Sequence, residues 1–533
     1  MKKFLCVVMV LGLMVSMMGC GSRDKQETMP ANDTTKNNDG AEDKKPDKKP
    51  QEKEIPYVEI WRENVGYLEV KKDGPQSQFF IDNVGIGVYS PYVPWEGGDA
   101  YIQKLNTLTA TGDIPDMFLP WKGNEITLAQ QGAIADLTDY LPEYAPNVWQ
   151  AIPEHVWDIV RAADPKGEGR IYYIPSVQLY NDYGPFIRTD WLDRVGMDMP
   201  TTKDELVNVL RAFKALDANG NGNADDEIPT SGREFGRWMD YLFGIYGIAM
   251  SEGYPNWDVY DGELTYSAVT PNMKEAIEFI RGLYKEGLLD NETFLNSSSD
   301  WKAKITSDKV GIWYHLSQYS HSRFEAITQL NPDATFAALP NVTNEGYDSF
   351  ITHLDIKRPE YVIANKSEAT IINALKLLNF AFDSQNRELN TFRVEGIDYE
   401  VVNGEKVLLP KDKSTSENVL LATPRITEED LFFNTEIMLN SVSEDRKPMF
   451  ETQLAVQESF QDLDKRIAGD GLPNTIYDGY SDIQQHTLYQ EYMTRIIIGD
   501  WEMDKFDEFV ELWHQNGGEA VTKRAREWYS KVR

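Results

Sequence analysis

The chain has 533 residues, with 53 Lys and Arg against 86 Asp and Glu, a formal charge of −33. So acidic a body repels nucleic acid and anionic membrane surfaces. Its two cysteines are Cys6 and Cys20, so the chain downstream has no disulfide, thiolate zinc site, iron–sulfur cluster or cysteine nucleophile. The six histidines show no HExxH or other tight metal spacing.

At the amino end, Lys2 and Lys3 precede an apolar run from Phe4 to Met18, closed by Gly19 and Cys20. The run is too short to span a bilayer and has the layout of an export signal. Gly19–Cys20 resembles the cut site of a bacterial lipobox, with Met17 where Leu is usual. Residues 1–19 are then the signal, and Cys20 carries the acyl (palmitate) chains of a membrane anchor. The plainer reading is an ordinary secretory signal with a chance cysteine. Residues 21–54 hold one sizeable apolar residue, Met29. Such a stretch cannot offset its ordering entropy and is expected to be a disordered tether, spanning about 30 Å on average.

From about Tyr57 the chain is long enough for two or three domains, with no further run able to cross a membrane. Helix-like and strand-like patterns alternate, which points to an α/β class. DAYIQKLNTLTATGDIPDMFLPW reads as helix, Gly turn and short buried strand. AQQGAIADLTDYL reads as a helix and a turn into another, and GRIYYIPSV as a turn and a β-rich run. Thr202 and Glu205 have capping-box spacing, and Leu206, Val209, Leu210, Phe213 and Leu216 recur with helical period. NMKEAIEFIRGLYKEGLLD is an amphipathic helix ended by Gly287, KVGIWYH a strand and SEATIINALKLLNFAFD a helix. Residues 484–533 are mostly helical in pattern.

The sharpest motif is DANGNGNADDEIP, directly after the Leu206–Leu216 pattern. Asp217, Asn219 and Asn221 stand at positions 1, 3 and 5 of an EF-hand-like loop. Gly222 stands at the sharp turn, Asn223 at the backbone-carbonyl position and Asp225 at position 9. Alternating oxygen donors fit Ca²⁺ in a structural role. Ile228 replaces the usual bidentate Glu, so Asp226 or Glu227 must close the shell earlier. The alternative is a Gly/Asn-rich turn with no ion.

YIQKLNTLTATGDIPDMF, GRIYYIPSV, FIRTDWLDRVGMDMPTTKDEL and DANGNGNADDEIP follow one another here. Further on come WDVYDGELTYSAVTPNMKEAIEFIRGLYKEGLLD, VEGIDYEVVNGE and IIIGDWEMDKFDEFVELWHQNGGEAVTKRAREWY. In order and spacing this set resembles the large, lipid-anchored, carbohydrate-binding branch of the bacterial extracellular solute-binding proteins, which includes binders of alginate oligosaccharides. The resemblance implies a type II periplasmic-binding-protein fold, two α/β lobes joined by a hinge with several crossovers. The expected division puts 55–168 and 306–365 in lobe 1, and 169–305 and 366–533 in lobe 2 with the calcium loop 217–227. It implies a monomeric, non-catalytic capture subunit on the outer face of the cell membrane, closing on an oligosaccharide and docking on ABC permease subunits.

Sugars offer flat apolar faces ringed by hydroxyls, so aromatics stack on them while Asp, Asn, Glu and Arg bind the hydroxyls. Aromatics in loop-like surroundings are the candidates: Trp95, Trp121, Tyr180, Tyr183 and Trp238, then Trp313, Tyr314 and Tyr399. Asn181, Asp182, Arg188, Arg393 and Glu395 are the polar ones. Trp313 could equally be a core strand residue, and Arg188 could pair internally with Asp190. The acidic body favours neutral sugars unless Arg188 and Arg393 form a local cationic cluster. A peptide binder of the same fold and a surface glycoside hydrolase are the alternatives.

Overall fold

Two β-sheets, each with its own apolar core, organise the chain in the computed structural model, which describes residues 54–62, 69–93, 99–121, 123–318, 320–409, 421 and 426–532. The export signal, Cys20, the tether and Trp95 lie outside the described residues. In the first sheet the strand order is Gly87–Tyr89, Tyr57–Trp61, Met117–Phe118, Ile356–Ile363, Ile174–Val177. The first three run parallel, and Ile356–Ile363 is antiparallel to both its neighbours. The second sheet has the order Phe336–Ala338, Tyr183–Arg188, Val310–Leu316, Ile228–Thr230. Trp61, Phe118, Trp157, Ile363 and Leu375 belong to the first core, and Phe186, Trp191, Phe213, Trp301 and Trp313 to the second.

Local sequence explains the elements. Residues 310–314 are buried without a break, as expected of a strand covered on both faces. The Thr202 hydroxyl accepts from the Glu205 amide at 3.3 Å while Glu205 Oε2 accepts from the Thr202 amide at 3.1 Å, closing the capping box of Lys203–Ala215. Leu206, Val209, Leu210 and Phe213 are the buried stripe of that helix. Leu216 is not part of it. It follows the last helical turn in extended backbone and is 47% exposed. Pro271–Glu286 ends at Gly287 with φ 66°, a left-handed cap that glycine adopts without strain.

The cores divide the chain differently from the expected boundaries. Val310–Leu316 pairs along its length with Tyr183–Arg188 and so belongs to the second lobe. Glu368–Ala381 buries Ile371, Leu375 and Leu378 in the first core, and Leu421 and Ile426 lie there too. The described chain therefore passes between cores near 178–182, near 354–355 and again between 427 and 449. A small cluster of Ala249, Phe350 and Ile467, with Leu354 against it, sits at the second crossing.

Candidate functional site

A recess forms where the crossings meet. Gln178 and Asn181 contribute from the first crossing, Thr352, His353 and Leu354 from the second, and Lys357 from the start of Ile356–Ile363. Tyr183, Tyr314 and the Met250–Glu252 segment contribute from the second lobe. The enclosed space is about 20 Å³, room for about one water.

Tyr183 is its centre. Its amide donates to Asn181 Oδ1 at 3.1 Å, and Asn181 Nδ2 donates to the Phe460 carbonyl at 2.9 Å, which fixes where the strand begins. The Tyr183 ring stacks with Trp238 and with Tyr314, each at 6.1 Å and 20°. Tyr314 stacks in turn with Tyr241 at 6.4 Å and 10°. Trp238 meets His315 edge-on at 4.8 Å and sits at φ 63°, a backbone strain of the kind that concentrates at functional sites. Four aromatic rings thus form one run, of which Tyr183, half-buried, presents the most surface.

Charged groups ring this run. Glu252 and Gly253 form the tip of the Met250–Ser251/Tyr254–Pro255 hairpin, both at positive φ, 51° and 81°, as a two-residue hairpin turn of this hand requires. The Tyr183 hydroxyl donates to Glu252 Oε1 at 3.1 Å. Burial, then the Glu252 charge, pushes the Tyr183 phenol far above its usual range. Lys357 Nζ lies 5.9 Å from the Tyr183 ring centroid. The Lys357 side chain reaches solvent, yet it stands in so concave a place that desolvation holds its ammonium below the ordinary value, against the pull of Asp470, Asp182, Glu252 and Asp355.

Asp240 lies behind the hairpin. The Gly253 amide donates to its Oδ1 at 3.0 Å, and its Oδ2 is buried with no partner among the described residues. Burial pushes its carboxyl up to about 7. At the crossing, Asp470 Oδ2 accepts from the Asp355 amide at 2.6 Å and burial pushes Asp470 up to about 6. His353 loses basicity through burial, but its bonds to Asp355 and Asp464 outweigh that and raise it to about 9.

The structure removes Trp313 and Arg188 from the expected ligand contacts and places several others away from the recess. Trp313 is fully buried and stacks on Phe186 at 5.4 Å and 9°, a core position with no surface for a ligand. Arg188 is also fully buried, paired with Asp190 at 2.7 Å and with Asp308. Tyr180 is buried beside the crossing. Trp121 lies in the first lobe with the Arg358 guanidinium 5.8 Å from its ring. Tyr399 is on the Tyr399–Val402 strand of a hairpin, packed edge-on against Phe392, and Glu395 is exposed just before it. Neither of these two, nor Trp121, lines the recess. Arg393 donates to the Asn390 carbonyl at 2.9 Å and to that of Leu421. Asp182 accepts from Ser317 and from Gln318 Nε2, the latter at 2.8 Å. Tyr183, Trp238, Tyr314 and Asn181 do come together. Glu252, Lys357, Asp240 and Tyr241 were missed. The one local signal was the Glu252–Gly253 pair between short apolar runs.

The 217–227 loop is pinned by its own side chains. Asp217 Oδ2 accepts from the Gly222 amide at 2.9 Å, Asn219 Oδ1 from the Asn221 amide at 2.9 Å and Asn221 Oδ1 from the Asn223 amide at 2.7 Å. The Asp225 amide donates to Asn223 Oδ1 at 3.3 Å. Asp226 is engaged by Asn221 Nδ2 at 3.2 Å and Lys309 at 3.4 Å. Two carboxylate oxygens, Asp217 Oδ1 and Glu227 Oε2, are buried with no partner among the described residues, and burial raises the Glu227 carboxyl. No three His, Cys, Asp or Glu side chains among the described residues converge on a metal position. Two orphaned carboxylate oxygens amid Asn and backbone oxygens still fit a hard cation such as Ca²⁺, with Glu227 rather than Asp226 left free to close the shell.

Against known proteins, the family described as bacterial extracellular solute-binding protein matches residues 90–392. Lipoprotein LipO of Bacillus subtilis (strain 168) is 25% identical over 457 residues, 82% of this chain and 86% of LipO. The fructooligosaccharide ABC transporter substrate-binding protein FusA of Streptococcus pneumoniae serotype 4 is 32% identical over 232 residues, 40% of this chain and 42% of FusA. A solved structure of a FusA EF-hand mutant with fructo-nystose superposes with a TM-score of 0.62 at 18% identity, covering 89% of this chain and 99% of that one. An HMO-binding, ABC-transporter-associated solute-binding protein from Bifidobacterium longum infantis gives a TM-score of 0.67 at 19% identity, covering 90% and 99%.

Proposed function

Because the chain belongs to the bacterial extracellular solute-binding proteins, we infer that it is the capture subunit of an ABC importer and holds an oligosaccharide between its lobes. The observation that carries this reading is the Trp238–Tyr183–Tyr314 run with Glu252 and Lys357 beside it. Stacked rings match the apolar face of a sugar, and the two charged groups match its hydroxyls. Tyr183 and Glu252 come from the second lobe and Lys357 from the first sheet, so a ligand touching all three couples binding to lobe closure. The name of FusA supports the saccharide class.

The chain binds without catalysis. Asp240, raised to about 7, is the feature that would favour a hydrolase, because a protonated carboxyl beside an ionised one is how glycosidases work. Incubation with fructo-, malto- and xylo-oligosaccharides, followed by mass spectrometry and X-ray scattering, tests both points. Unchanged sugar and a smaller radius of gyration support capture. Steady cleavage refutes it, and binding of peptides alone moves the ligand class to peptide.

Two further roles belong to this reading. Ca²⁺ in the Asp217–Glu227 loop would be bound by Asp217, Asn219, Asn221, Asn223 and Glu227, with Asp225 at the rim, and would neutralise carboxylates that otherwise oppose folding. Acylation at Cys20 would tether the protein to the outer face of the membrane, as the name of LipO supports. Cys20→Ala should then release the protein from the membrane fraction.

A further inference from the structure

We propose that the recess selects a neutral oligosaccharide and excludes uronic-acid oligomers. This rests on the saccharide reading above and narrows it to one class of sugar.

Recognising a polyuronate requires uncommitted cations at the ligand, best met by guanidinium forks. Arg188 and Arg393, the arginines singled out from the sequence, are engaged elsewhere, while Arg237, beside Trp238 with its guanidinium 5.6 Å from the Tyr254 ring, is not among the residues lining the recess. Arg188 is fully buried between Asp190 and Asp308. Arg393 is held by two backbone carbonyls and lies 5.9 Å over the Phe80 ring. Arg358, next to Lys357 in sequence, is paired with Glu360 at 2.9 Å, and Arg466, opposite His353 in a strand pair, with Asp355 at 2.9 Å.

Among the described residues, the charged side chains that line the recess are Glu252, His353 and Lys357. His353 lies between Asp355 and Asp464, at 3.1 Å from each, which offsets its charge. That leaves Lys357 alone against Glu252 at the surface, with Asp182 buried behind the wall and Asp240 under the hairpin. The Lys357 ammonium already faces the fields of Asp470, Asp182, Glu252 and Asp355. One cation so surrounded can donate to a hydroxyl. It does not balance a carboxylate on each sugar unit. The chain as a whole adds a net charge of −33, which slows approach of a polyanion at low salt.

The test is calorimetric titration of the mature, calcium-loaded protein. The neutral probes are fructo-, malto- and xylo-oligosaccharides. The anionic probes are oligogalacturonate and oligomannuronate of matched length, with a tripeptide mixture alongside. At least one neutral series should bind, with each uronate weaker by about tenfold or more, the scale of an uncompensated like-charge contact. The gap should shrink as salt rises from about 0.02 to 0.5 M, because screening relieves repulsion. Glu252→Gln should narrow the gap by improving uronate binding. A uronate that binds as tightly as the best neutral probe overturns the inference and leaves the saccharide reading standing. Binding of the tripeptides alone, or of no probe, overturns the saccharide reading itself. A gap that widens with salt, or one unaltered by Glu252→Gln, overturns the electrostatic explanation.

Discussion

Trp313 and Tyr314 are neighbours on one strand, yet they serve opposite sides of its sheet. Trp313 stacks on Phe186 in the second core, with Phe336 edge-on at 6.2 Å. Tyr314 stacks on Tyr183 at the wall of the recess. Strand side chains alternate, so one residue of displacement separates an aromatic packed in the second core from one that lines the recess. Aromatic content alone does not tell them apart, because both rings are almost wholly buried.

The largest effect expected from breaking this comparison is on the core side. Trp313→Ala should cost about 3–5 kcal/mol of stability through the cavity it leaves, read as a lower denaturation midpoint at unchanged slope. Next comes the 217–227 loop, which lies away from the recess and is proposed to hold Ca²⁺. Chelation should lower the melting temperature by the linkage of an ion bound only to the native state, about 2–3 kcal/mol at a hundredfold excess over the dissociation constant. Sugar affinity of the protein that stays folded should not move. An Asp217→Ala, Glu227→Gln double variant should be indifferent to chelator.

On the recess side, Tyr183→Ala should cost about 1–3 kcal/mol of binding and little stability, the reverse of Trp313→Ala. A loss of stability equal to that of Trp313→Ala would erase the distinction between the two sets of rings.

The smallest effect concerns Asp240. Its carboxyl rises from 3.8 to about 7 on folding because it is buried. The folded state therefore holds the proton more tightly than the unfolded chain. The stability this contributes is fully present below pH 4 and is lost as pH rises through 7. Asp240→Asn should remove that decline from a melting-temperature profile between pH 4 and 8. An identical profile in the variant would place the titration elsewhere.

Much of the fold was legible because its signals are local. The Thr202–Glu205 box, the Gly287 cap and the apolar run of Val310–Leu316 each depend on residues within one element. The lobe boundaries were not legible, since pairing of Val310–Leu316 with Tyr183–Arg188 joins segments more than a hundred residues apart. The site was legible in part for the same reason. Tyr183 and Trp238 stood out as aromatics in turn-like sequence, and so did Trp121 and Tyr399, which the fold carries elsewhere. Lys357 had no local mark, and Glu252 had only the turn-like Glu252–Gly253 pair. They meet only because the second crossing brings Ile356–Ile363 beside a hairpin of the other lobe. Arg188 had two readings, a ligand contact or a partner of Asp190; the pairing with Asp190 holds, and its second partner, Asp308, lies 120 residues away.

The most direct test of the central claim is titration of wild type and Tyr183→Ala, side by side, with neutral oligosaccharides. The account predicts saturable binding and lobe closure in the wild type, and affinity weaker by about tenfold or more in a variant that is still folded. Equal affinity in the two proteins would contradict it.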